Sequence, residues 1–471
     1  MIALCAIMLS ACAAREQIFP LVGMDAPALR DFPEDFTPPL SSETGRPMPG
    51  FGGGGGGVER TPVIFIHGNT VSARFWLPAR KHFLAKGYHS DELWSLGYGW
   101  DNARYLDGDD LSVASVERIV SGVTAYLSKK TGRQIRQVDI VAHSLGVTLV
   151  RQWMKQNNAW HRVRNFVGAT GGNDGVWTAW MDARTQSRVV SFELAPGSPW
   201  LAQLSRGGET PGPTRYMTLY DGTGWYDVLF PHPFEDGGAL EGAHNVAFNR
   251  EHGTHYDHLE LPREPDTMDA MIEFFRQSRE ALPQAGRPAL KLNGASLAAS
   301  EDEALVHCTA DGEYPNSATP GVKSVELPAG SLQTCFARSE RTQLASPMAR
   351  YRNVPGYTPA GELTLSIDPP GGVFEQPQNV SLKASDPEAF VVYTTSGYVP
   401  NSGSPLYTEP VYVPGPLTLR ARAIAPDGRT SKPVKVKFDI SLELVEARHT
   451  LQRQFDPTVQ EKYEGRRHVG R

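Results

Sequence analysis

The sequence predicts an α/β domain, a mostly parallel sheet with helices on both faces, followed by small β-rich domains. Three observations carry this. Short apolar runs at 62–66, 138–142, 162–169 and 215–220 alternate with helix-compatible stretches at 115–129, 147–154 and 267–278. Strands that alternate with helices pack as a parallel sheet covered on both sides. All nine tryptophans lie between Trp76 and Trp225, so an aromatic front half meets a Trp-free back half. Finally, 363–367, 379–383, 390–394, 417–421 and 434–438 alternate apolar and polar residues between Pro-Pro-Gly-Gly, Ser-Gly and Pro-Asp-Gly turns. Short strands at regular spacing with such punctuation predict a β-sandwich.

A chain of 471 residues exceeds one ordinary domain. The expected division is a signal peptide at 1–11, a Pro/Gly-rich tether at 12–58 and the α/β domain at 59–282. A small β-rich connecting domain follows at 285–358, then a β-sandwich at 362–441 and a charged tail at 442–471. Six consecutive glycines at 52–57 read as a flexible linker, because glycine loses the most freedom on ordering. The net charge of −6 provides no electrostatic footprint for nucleic acid.

Residues 2–11 form an uncharged apolar run, too short to span a bilayer and suited to the core of a signal peptide. The run ends in Leu9-Ser-Ala-Cys12. This resembles the bacterial lipoprotein box, whose cysteine is diacylated and holds the protein at a membrane surface. An ordinary secretory signal is the alternative. Either reading exports the chain, as an outer-membrane or cell-surface lipoprotein or as a secreted protein. Only Cys308 and Cys335 remain in the mature body, and two cysteines in an exported protein read as one disulfide.

The chemistry centres on Ala142-His-Ser144-Leu-Gly146. The pentapeptide alone is weak, but an apolar strand precedes it and a helix follows. That context puts Ser144 in a sharp turn with its hydroxyl above the sheet, and small residues at 142 and 146 admit neighbouring backbone. The amide of Leu145 is one expected oxyanion donor, and the loop His67-Gly68-Asn69 provides the second through the Asn69 amide. A serine needs a base and the base needs an orienting acid. In an α/β-hydrolase they follow in the order serine, acid, histidine. His258, just before the last helix, is the expected base, with His255 as alternative. Asp227 is the expected acid, with Asp221, in an Asp-Gly turn pair, as alternative. His252, His255 and His258, with Glu251 and Asp257, are metal ligands only if they converge; none is expected, and the chemistry needs no cofactor.

These pieces resemble a known family. Val63-Ile-Phe-Ile-His-Gly-Asn69, Ala142-His-Ser-Leu-Gly146, Gly197-Ser-Pro-Trp-Leu-Ala-Gln-Leu204, Gly208-Glu-Thr-Pro-Gly212, Arg215-Tyr-Met-Thr-Leu-Tyr220 and Ala239-Leu-Glu-Gly-Ala-His-Asn245 look like the bacterial class 2 lipases and esterases. The related extracellular polyhydroxyalkanoate depolymerases share the likeness. It implies the α/β-hydrolase fold, an acid at Asp227-Val-Leu and a base at His258-Leu-Glu-Leu. The back half, through Ile367-Asp-Pro-Pro-Gly-Gly372, Val392-Tyr-Thr394 and Ser404-Pro-Leu-Tyr407, resembles the small C-terminal β-sandwich of chitobiases, an accessory or spacer module.

Trp76, Trp177 and Trp200 fall in crossover segments, where they are expected to line an apolar substrate groove; burial in the core is the alternative. The expected activity is therefore serine carboxylester hydrolysis on apolar esters, of the lipase or esterase type. Polyester depolymerisation is an alternative. A non-catalytic surface-binding lipoprotein is the rival of another class.

Overall fold

A computed structural model describes residues 28–42, 45–69, 71–98, 110–179, 193–281, 286–310, 312–359 and 361–440. The expected signal peptide, Cys12 and the charged tail lie outside these residues.

The front half is built on one eight-stranded sheet. Its strands are β1 (Arg30–Asp31), β2 (Gly50–Gly52), β3 (Val63–Ile66), β4 (Leu93–Leu96), β5 (Val138–His143), β6 (Val163–Ala169), β7 (Arg215–Tyr220) and β8 (His244–Ala247). Their spatial order is β1-β2-β4-β3-β5-β6-β7-β8. β2 and β4 run antiparallel, and every other neighbouring pair is parallel. Every residue of β3 to β6 is buried, as a sheet covered on both faces requires.

The alternation of side chains along each strand divides them between two cores. On one face Ile64, Ile66, Ile140 and Phe166 pack with Val116, Val120 and Val123 of α2 (Asp110–Thr131) and with Val147, Val150 and Trp153 of α3 (Leu145–Gln156). On the other, Val63, Phe65, Val141, Val167 and Leu219 pack with Ala79 and Phe83 of α1 (Leu77–Ala85) and with Met268, Met271, Ile272 and Phe275 of α6 (Pro265–Arg276). This half also holds the shorter helices α4 (Pro199–Ser205) and α5 (Phe248–His252).

The glycine run is not a free linker. Residues 28–58 contribute β1 and β2, so the part of the expected tether that is described belongs to the α/β domain. Asp91 and Glu92 are fully buried. The amides of Gly55 and Gly57 donate to the two Asp91 carboxylate oxygens, each at 3.1 Å. Those of Glu59 and Arg60 donate to Glu92 Oε1 at 2.7 and 2.6 Å. Glycine keeps the amides reachable, and the buried carboxylates supply the binding energy that a glycine run lacks by composition.

The back half is all β. β9 (Leu290–Asn293), β10 (Ser296–Ala299) and β13 (Ser324–Glu326) form one small sheet; β11 (Ala304–Ala310), β12 (Gly321–Val322), β14 (Leu332–Ser339) and β15 (Ala349–Arg352) form another. Cys308 and Cys335 stand directly opposite across β11 and β14 and are joined by a disulfide. The last module is a sandwich of two sheets. One holds β16 (Leu365–Asp368), β18 (Gln378–Ala384) and β20 (Val411–Val413); the other holds β17 (Gly372–Phe374), β19 (Phe390–Thr394), β21 (Leu417–Ile424) and β22 (Val434–Ile440). Val380, Leu382, Val391, Leu419, Ala421 and Phe438 fill its core.

Both β modules are cemented to the far end of α3. Tyr314, Phe336 and Met348 join the apolar core that contains Trp160 and Leu204. Asn158 Nδ2 donates to the Met348 carbonyl at 2.8 Å and to Asn401 Oδ1 at 3.1 Å. Gln156 Oε1 accepts from the Thr395 amide at 2.8 Å.

Candidate active site

Ser144 links β5 to α3 with φ 54° and ψ −125°. A positive φ is costly for a residue with a Cβ and persists only where surrounding bonds enforce it. Here the Ser144 amide donates to the Ala169 carbonyl, and its carbonyl accepts from the Val147 amide, both at 2.9 Å. Two glycines allow the packing. A Cβ on Gly146 would lie 2.6 Å from the His67 carbonyl oxygen, and one on Gly68 would lie 2.8 Å from Ser144 Cβ. The 67–69 loop is therefore pressed against the serine. Its backbone is held by Tyr98, whose hydroxyl donates to the His67 carbonyl at 2.7 Å and whose ring stacks on the His67 imidazole.

His258 Nε2 lies 2.9 Å from Ser144 Oγ, and His258 Nδ1 lies 2.8 Å from Asp227 Oδ2. An ionised carboxylate only accepts, so Nδ1 carries the proton and Nε2 presents its lone pair to the serine hydroxyl. Both His258 and Asp227 are buried, and the second Asp227 oxygen accepts the Leu229 amide at 3.0 Å. Serine, imidazole and carboxylate, spread over 144, 227 and 258, thus form one hydrogen-bonded chain at the C-terminal ends of the strands.

Asp221 has a different task. Its Oδ1 accepts from Thr223 Oγ1 and Asn249 Nδ2, both at 2.7 Å, and its Oδ2 from the amides of Trp225, Tyr226 and Asp227. Burial pushes its carboxyl up, but these hydrogen bonds outweigh burial and hold it below the usual carboxylate range. Asp221 shapes the loop that delivers Asp227. His255 is exposed and packs edge-on against Tyr226, while His252 packs on Phe248. The three histidines point to different partners and do not converge.

His143 was not singled out by the sequence reading. It is buried, stacks on Phe75 at 4.5 Å, and its Nε2–H donates to the His258 carbonyl at 3.0 Å. Burial, reinforced by the neighbouring His258, holds its pKa well below the ordinary histidine value, so it stays neutral. The only signal in the sequence was its place beside the nucleophile.

The tryptophan expectations divide. Trp76 has no exposed surface and packs between Phe65 and Phe75. It is a core residue beneath the site, not a groove wall. Trp200, also buried, lies beside Gln152 and Gln156 of α3 and Tyr393 of the sandwich, at the far end of α3 from Ser144. The α4 helix that carries it is drawn there because Lys155 Nζ donates to the carbonyls of Gln203, Leu204 and Arg206. Trp177 is only partly buried, stacks on Phe234 at 5.4 Å and donates its amide to Leu229 in the Asp227 loop. Of the three it alone adjoins the site. Asn69 is partly buried at the edge of the serine turn, and Leu145 begins α3, where first-turn amides have no partner within the helix.

Residues 60–190 match the family model for Lipase (class 2), and residues 369–435 match that for the Chitobiase/beta-hexosaminidase C-terminal domain. The sequence matches no curated protein. Among similar solved structures is the mature Bacillus licheniformis lipase BlEst2, with 16% identity, 47% of this chain and 94% of that chain covered, and a TM-score of 0.35. Its propeptide form shows 14% identity, 81% and 95% coverage and a TM-score of 0.36. Phospholipase PlaB from Legionella pneumophila shows 17%, 39%, 43% and 0.27 in the same order. The front half has the α/β-hydrolase fold, and the class 2 lipase model matches it over residues 60–190.

Proposed function

We propose that the protein hydrolyses apolar carboxylic esters through an acyl-enzyme on Ser144. Ser144 Oγ attacks the ester carbonyl while its proton passes to His258 Nε2. The oxygen of the tetrahedral intermediate takes hydrogen bonds from the amides of Leu145 and Asn69. The intermediate collapses, and His258 returns the proton to the departing alcohol. Water then attacks the acyl carbon, giving its proton to His258, which hands it back to Ser144 Oγ as the acid leaves. Asp227 keeps His258 in the required tautomer and stabilises its transient charge.

The observation that carries this reading is the continuous chain from Ser144 to His258 to Asp227, with bonds of 2.9 and 2.8 Å. Apolar preference rests on Trp177 and Phe234 beside the Asp227 loop, whose Trp225 and Val228 are themselves exposed. The test is a fluorophosphonate probe and a panel of p-nitrophenyl esters of rising chain length. The probe is expected on Ser144 and nowhere else. Ser144→Ala is expected to lose labelling and about a thousandfold or more of the turnover, with unfolding unchanged. Retained turnover in that variant removes the proposal.

A further inference from the structure

The outer face of the larger sandwich sheet carries charge that the chain does not neutralise. Along β21 the inward residues Leu417, Leu419, Ala421 and Ala423 are buried in the module core, which leaves Thr418, Arg420 and Arg422 on the other face. β22 adds Lys435 and Lys437 to that face, since Lys435 stands directly opposite Arg420 and Lys437 opposite Thr418. Four cations therefore form one ridge. From Arg422 to the level of Lys437 is four residue steps, about 14 Å of strand.

This arrangement is unfavourable in isolation. Like charges directly opposite across a sheet destabilise it. None of the four cations has a hydrogen bond or ion pair among the described residues. The Nε atoms of Arg420 and Arg422 are shut away from solvent without an acceptor, and such atoms usually find a partner. The one acid that the register puts on this face is Asp439, beyond Lys437 at the end of β22 and opposite Val373. The chain as a whole has a net charge of −6, so the ridge does not follow from general basicity.

We propose that this ridge binds a linear anionic polysaccharide, one whose sugars carry carboxylate groups. A row of cations along two adjacent strands matches charges repeated along an extended chain. Residues 362–440 contain no tryptophan. A basic patch that docks on a bilayer is ordinarily flanked by exposed aromatic or long aliphatic side chains; here one flank is Asp439 with one exposed valine, Val373, and the other is Val392 and Thr394 of β19, both buried. The module would thus hold the hydrolase at a polyanionic matrix, a role separate from ester hydrolysis.

The test uses the full chain and alginate oligomers as probe, with calorimetry at low and high salt. Uncharged dextran and phosphatidylglycerol vesicles are the comparison arms. The parent protein is expected to bind alginate, with affinity that falls as salt rises, and to ignore dextran. The variant Arg420→Gln/Arg422→Gln/Lys435→Gln/Lys437→Gln is expected to bind about tenfold or more weakly. Its thermal midpoint should stay level or rise, and its p-nitrophenyl butyrate turnover should stay unchanged. Lys129→Gln/Lys291→Gln, which removes two cations elsewhere, should bind like the parent. The proposal is overturned if the parent does not bind alginate, if the four-site variant binds undiminished, or if the ridge captures phosphatidylglycerol vesicles in preference to the oligomer.

Discussion

Two polar networks, each built on a buried carboxylate, sit at opposite ends of the same strands. At the N-terminal ends, Asp139 accepts from Arg164 Nε at 3.0 Å and from the Asn165 amide and side chain at 3.1 and 2.9 Å. Arg164 continues to Glu280 at 2.5 Å, and Glu280 accepts from the amide and hydroxyl of Thr61. At the C-terminal ends stand Ser144, His258 and Asp227. The first network is closed: each carboxylate is matched by donors on neighbouring elements. The second ends in a partly exposed hydroxyl on a strained turn, hydrogen-bonded to the His258 imidazole. One end is thus a clamp whose buried carboxylate is fully matched, while the other ends in a hydroxyl that an incoming molecule can reach.

Breaking each network should separate the two roles. The largest effect is expected for Asp227→Asn, which keeps the shape but favours the wrong histidine tautomer; turnover should fall by about 10⁴ with little change in unfolding midpoint. Asp221→Asn, measured beside it, should lose far less turnover. Equal losses would mean that the acid has been assigned to the wrong aspartate.

Next comes Arg164→Met, which leaves the buried Asp139 carboxylate without its counter-charge. Stability should drop by about 3–5 kcal/mol in urea titration, while turnover per folded molecule holds. A selective loss of turnover would show that the two ends are coupled.

A third measurement is pH dependence. Burial holds His67, near the serine, at about 4. It holds His161 at about 3, with Arg287 and Arg162 adding to the effect. Both pKa values are lowered from 6.5, so the unfolded chain binds protons that the folded chain refuses. Their stabilisation is complete above pH 6.5 and is lost as the pH falls towards the folded values. At about pH 5 each should contribute roughly 2 kcal/mol less than at neutrality. Urea midpoints that do not move between the two conditions would contradict this.

The smallest effect concerns His143. Removing its hydrogen bond to the His258 carbonyl with His143→Ala should lower kcat about tenfold at constant KM. His143→Gln, which retains an N–H donor, should recover part of it. A loss confined to stability, with kcat intact, would make His143 a packing residue only.

Much of the fold was legible because local pattern carries it. β7 was expected at 215–220 and spans those residues, and the runs at 62–66 and 138–142 are the central strands. Short, mixed strands such as β4 and β8 escaped, since four residues hold too little periodicity to stand out. The glycine run was misjudged because its order comes from Asp91 and Glu92, more than 30 positions away. Trp76 and Trp200 were misassigned because composition does not say which side of a crossover is covered.

From its own letters the chain determines where a serine must sit on a strand-to-helix turn, and that small residues must flank it. These are short-range consequences of backbone sterics and side-chain period. Tertiary structure alone decided which aspartate and which histidine meet that serine, since Asp221 and Asp227, or His255 and His258, differ in reach only once β7, α5 and the final loop are packed. It also decided that four cations of the last module share one face with Asp439 as the single acid the register puts there, because strand register, not sequence distance, makes Arg420 and Lys435 neighbours.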